Sequence, residues 1–136
     1  MKTLILARAV RVLLPVFVLF SIYIFFRGHN LPGGGFIAAL TASIGYILYA
    51  MASGVSETEK VLRIEAMTLI SSGLLVSFAS AIFPLFVGYH FLEGLWLPFK
   101  IPLIGKVGTP TIFDLGVYLL VVGITLKITF SIIEED

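Results

Sequence analysis

Cysteine is absent from the 136-residue chain, which excludes disulfides, thiolate metal sites and thiol redox chemistry. Charge is scarce too. Asp, Glu, Lys and Arg make up 12% of the residues, roughly half the share in ordinary soluble domains. The formal net charge is only +1, and no basic run marks a nucleic-acid surface. What fills the sequence is hydrocarbon: 59% of the residues are hydrophobic, and mean hydropathy is +1.10. With so few charges the chain has no means of covering its apolar surface in water, and a bilayer is its expected solvent.

A helix needs roughly 20 mostly apolar residues to cross about 30 Å of hydrocarbon. Four segments qualify, at 4–26, 36–52, 66–87 and 112–133. The expected fold is an all-α integral membrane protein: one domain over 1–136, four transmembrane helices, a Gly-rich first loop and a long aromatic third loop. The first segment is not read as a secretory leader. Behind Lys2, Arg8 and Arg11 the apolar run reaches Phe26 without a small-residue cleavage pattern, and it exceeds the usual h-region of about 7–15 residues.

Local signals suggest where the helices begin and end. Ser56-Glu57-Thr58-Glu59 has capping-box spacing and predicts the start of the third helix in water; Thr111-Ile112-Phe113-Asp114 after Pro110 predicts the start of the fourth. Gly54 suits the end of the second. With four spans, Lys2, Arg8, Arg11, Lys60, Arg63 and Lys127 fall on the side of both termini, against Arg27, Lys100 and Lys106 on the other. The positive-inside rule then places both termini in the cytoplasm. Small residues recur at Gly35, Ala39 and Ser43 and at Gly73, Ser77 and Ser80. Such stripes allow close helix packing, within the chain or against a neighbouring protein. The segment from Gly88 to Pro110 carries Tyr89, Phe91, Trp96 and Phe99, and reads either as an interfacial segment or as a strap across a neighbour.

The polar residues are few. Within the spans the only candidates for a buried ion-handling group are Asp114 and Lys127, with Arg11 and Glu65 at the margins. An autonomous ion carrier buries more such groups in mid-membrane. Asp114 and Lys127 are thirteen residues apart on one helix, about 20 Å along its axis, and cannot pair. Asp114 suits a cap at a helix N-terminus or a carboxylate that accepts a cation or a partner's positive group. Lys127 suits snorkelling towards the headgroups or a polar cavity lined by another chain.

Between the first two spans stands Arg27-Gly28-His29-Asn30-Leu31-Pro32-Gly33-Gly34-Gly35-Phe36. No Lys-Ser or Lys-Thr follows the glycines and no strand precedes them, so this is not a phosphate-binding loop. Gly28, Pro32, Gly33, Gly34 and Gly35 permit a tight turn with bare peptide groups. His29 and Asn30 either satisfy that turn or line an ion path, where His29 takes up a proton near neutral pH. No nucleophile–base pair, metal-ligand cluster or cofactor motif is present, so no cofactor and no enzyme activity are expected.

Gly28 to Phe36 closely resembles the signature of the B-type component of Mrp-type multisubunit sodium/proton antiporters. Phe113-Asp114-Leu115-Gly116-Val117-Tyr118 resembles that family's second marker, and Gly123 and the acidic tail are similar as well. Many relatives continue the first motif with paired glycines where this chain has Ala38-Ala39. The resemblance covers nearly the whole chain. It implies a small subunit of a hetero-oligomeric complex in the cell membrane that exchanges Na+ for H+, the buried titratable chains residing in larger partners. Related subunits occur in membrane-bound hydrogenase-like complexes, and that setting stays open, as does a homo-oligomeric channel or transporter.

Overall fold

The computed structural model describes residues 4–27, 34–90, 98 and 108–135. They form five helices: α1 Leu4–Arg27, α2 Gly34–Ser53, α3 Val55–Leu62, α4 Ala66–Phe86 and α5 Thr109–Glu135. No β-strand occurs among the described residues. Helices α1, α2, α4 and α5 are each long and apolar enough to cross a bilayer. The chain is thus a multi-pass, all-α membrane protein.

The extensive contacts among the four long helices run in the order α1–α2–α5–α4. Half of the apolar window of α2 is buried inside the chain, against 22% for α1 and 28% for α4 and α5. Among the described residues α4 packs extensively on α5 alone, α5 also on α2, and α2 also on α1. The inward side of α1 is a stripe of Val10, Leu14, Ser21 and Phe25, spaced by one and two helical turns so that all four lie along one side of the helix. Phe17 and Leu14 meet α2 at Gly45, where an added Cβ would stand 2.8 Å from Phe17 Cβ.

The α4–α5 contact is backbone against backbone. An added Cβ at Gly73 would meet Gly116 O at 2.6 Å; one at Gly116 would meet the Ser77 backbone N at 2.6 Å; one at Gly123 would meet Ala66 O at 2.9 Å. Lipid tails give helices no hydrophobic reason to associate, so such close approach supplies the packing instead. The Gly73 and Ser77 stripe is therefore spent inside the chain, as is Ala39, which joins Ala42, Ala50, Val122, Leu126 and Phe130 in the α2–α5 core.

The two capping-box signals do not mark helix starts as expected. The Ser56–Glu59 box does not open the third span. It lies within α3, which is N-capped by Gly54 (φ 95°) without a side-chain bond and ends at Arg63 in the left-handed region (φ 67°). Glu65, extended, then caps α4. A non-glycine residue at positive φ breaks the helix, and residue type alone does not announce it. The last span starts at Thr109, three residues before the expected 112. Gly108 accepts from the Thr111 and Ile112 backbone N–H groups, and its own N–H donates to Thr111 Oγ1 at 3.3 Å. Thr111 thus takes the third helical position, and Asp114 lies a turn further in, beyond reach of the cap. Gly54 does end α2, donating to Ala50 O at 2.8 Å.

Candidate functional site

Gly34 and Gly35 open α2 and are buried, so the second span starts two residues earlier than expected and the end of the glycine run is helix rather than loop. The reason lies on α5. An added Cβ at Gly35 would stand 2.6 Å from the Asp114 carbonyl oxygen, 3.0 Å from its Oδ1 and 3.2 Å from its Cγ. The half-buried Asp114 carboxylate is thus folded over the first turn of α2. The first N–H groups of a helix have no intrahelical acceptor and carry partial positive charge, which favours a carboxylate there. Asp114 meets the N-terminus of a neighbouring helix, not that of its own.

The contact joins the two polar motifs of the chain. Asp114 lies five residues into α5, about 8 Å below its start, so α2 begins recessed by that distance. His29, Asn30, Gly28, Pro32 and Gly33 lie outside the described residues, as do Phe91, Trp96 and Phe99.

Tyr118, one turn beyond Asp114 on the same face, ties α5 to α1. Ser21 is fully buried and its hydroxyl donates to Val18 O at 2.7 Å. Its single proton is thereby used, so Tyr118 donates to Ser21 Oγ at 2.8 Å. The Tyr118 ring packs edge-on against Phe25 at 5.8 Å between centroids. Beside it Ile22, Phe25, Phe26, Leu115 and Tyr118 line an apolar cleft of about 330 Å³ between α1 and α5. Sequence reasoning missed this inter-helix pairing. Its signal is the four-residue spacing of Asp114 and Tyr118, which sets both side chains on one side of α5.

Lys127 is remote from this site. It is exposed, at the other end of α5, in a groove of about 260 Å³ with Glu59, Glu65, Ser131 and Glu134. Gly123 opposite Ala66 and Ile70 sets the antiparallel register, and four residues further Lys127 is level with the start of α4. Among the described residues no group of three His, Asp or Glu is placed to hold a metal ion.

The family described as "Domain related to MnhB subunit of Na+/H+ antiporter" matches residues 5–127. The chain belongs to that family. It is 38% identical over 135 residues to the B-type component of the Na(+)/H(+) antiporter of Bacillus subtilis, covering 98% of this chain and 94% of the relative. It is also 38% identical over 128 residues to a probable K(+)/H(+) antiporter component of combined A/B type from Rhizobium meliloti; there it covers 93% of this chain but 13% of that much longer one. Among solved structures, a chain of the Mrp complex from Dietzia sp. DQ12-45-1b superposes with a TM-score of 0.74 at 32% identity, over 90% of this chain and 13% of that one. MnhB-type sequence therefore occurs both as a separate small chain and as part of a longer one.

Proposed function

We propose that the chain is a small membrane component of a multisubunit antiporter that exchanges a monovalent cation, Na+, for H+. The observation that carries this is a family match over nearly the whole chain, joined to a scarcity of buried titratable groups that leaves the chain dependent on partners. It acts as a transporter component and not as an enzyme. The chain is 38% identical both to a Na+/H+ relative and to a probable K+/H+ one, and Na+ is the cation assigned to it. Within the chain, Asp114 at the start of α2 is assigned to the polar route, together with His29 and Asn30 of the adjoining motif. Gly28, Pro32 and Gly33 shape that motif, and Lys127 belongs to the opposite membrane face.

Gentle detergent extraction of a tagged chain, followed by mass spectrometry, tests the partnership. Several hydrophobic companions are expected; recovery of this polypeptide alone would refute it. Both termini and α3 are assigned to the cytoplasm. Because the chain lacks cysteine, Ser56→Cys gives a single label. An impermeant maleimide should reach it in inverted vesicles and not in intact cells, and the opposite pattern would reverse the orientation.

A further inference from the structure

We infer that Gly35 is the positioning residue of Asp114: by having no side chain, it lets the α5 backbone and the Asp114 carboxylate close on the first turn of α2. The inference rests on the assignment of Asp114 to the ion route. Three atoms of one residue, the carbonyl oxygen, Cγ and Oδ1, crowd the space a Cβ would take at Gly35. Oδ1 and Cγ belong to a side chain that can swing away. The carbonyl oxygen belongs to α5 itself and cannot. A methyl group at position 35 therefore acts in one direction: it turns the carboxylate away from α2 and lifts α5 from α2 by a few tenths of an ångström.

The neighbouring glycine contact of α2 shows that this arrangement is local. At Gly45 the crowding atoms are Phe17 Cβ and Cγ and Leu14 Cδ1, all side chain, all on α1, and none of them polar. Gly35 and Gly45 impose a similar steric demand on one helix, yet only the first bears on an ionisable group. The inferred role separates them: Gly45 packs two helices, whereas Gly35 sets where a charge stands. A displacement of order 1 Å at a group that handles an ion or proton changes rates by up to about a hundredfold.

The test is a double-mutant cycle in the whole complex, with exchange measured in inverted membrane vesicles and normalised to complex on native gels. Gly35→Ala should raise the half-saturating sodium concentration or lower the maximal rate about tenfold per complex. Asp114→Asn should do at least as much, and Gly35→Ala with Asp114→Asn should match Asp114→Asn alone, because two changes acting through one group are not additive. Gly45→Ala should lower the amount of complex and leave per-complex kinetics unchanged. If Gly35→Ala fails to assemble, Asp114→Glu, which keeps Gly35 and moves the carboxylate by one methylene, should show the same kinetic loss. Additive effects, wild-type kinetics in assembled Gly35→Ala, or wild-type kinetics in Asp114→Glu would overturn the positioning role. Wild-type exchange in Asp114→Asn would instead overturn the assignment of Asp114 on which it rests.

Discussion

Asp114→Asn is expected to leave the complex at its wild-type amount while cutting cation–proton exchange per complex tenfold or more. Asn has the shape of Asp, so the contact of position 114 with Gly35 survives, and the carbonyl that crowds Gly35 is untouched. What disappears is the negative charge over the first turn of α2. A side chain that exchanges protons or steadies a cation in transit contributes roughly 10²–10⁴ when placed correctly. The loss should therefore exceed the scatter of expression differences by a wide margin. Native gels for quantity and vesicle exchange for activity are both required, because a scaffold role predicts that the two fall together. Unchanged exchange at normal complex amount would restrict Asp114 to packing.

Gly73→Val is expected to have the largest effect on assembly, with loss of nearly all complex from native gels. At Gly73 an added Cβ meets Gly116 O at 2.6 Å and Leu120 Cα at 2.8 Å, as well as the Leu120 backbone N. All three are backbone atoms of α5, so no rotamer change relieves the overlap and the helices must separate. Inserting bulk into a packed core costs about 1–3 kcal/mol where side chains give way, and a backbone contact stands at or above the top of that range. At about 1.4 kcal/mol per tenfold, more than a hundredfold of folded chain is at stake. Among the described residues α5 is the only extensive partner of α4, so it is the main support of α4 within them. Near-normal complex in Gly73→Val would mean that α4 is held by a neighbouring protein instead.

The membrane spans were legible because length and hydropathy alone identify them, and the structure moves their ends by three residues or fewer. The break between α3 and α4 was not. It depends on Arg63 adopting a left-handed backbone, which the packing of Val55, Leu62 and Phe130 in one cluster supports and residue type does not announce. Capping boxes misled for a related reason. Ser56–Glu59 has the right spacing for a helix start, but Gly54 supplies the cap and Thr58 turns its hydroxyl back to Gly54 O at 2.8 Å. The scarcity of ionisable groups was plain in composition, and Asp114 stood out for that reason. Its meeting with Gly35 was hidden, since residues so far apart in sequence come together only through the parallel packing of α2 and α5.

The central claim is dependence: a chain with so little titratable chemistry inside its spans carries charge only within a larger assembly. Purified chain reconstituted alone into liposomes, with a proton gradient imposed and internal pH followed on adding sodium, tests it most directly. The expected result is no sodium-dependent pH change from the lone chain and a robust one from the whole complex in parallel liposomes. Exchange by the lone chain would contradict the account.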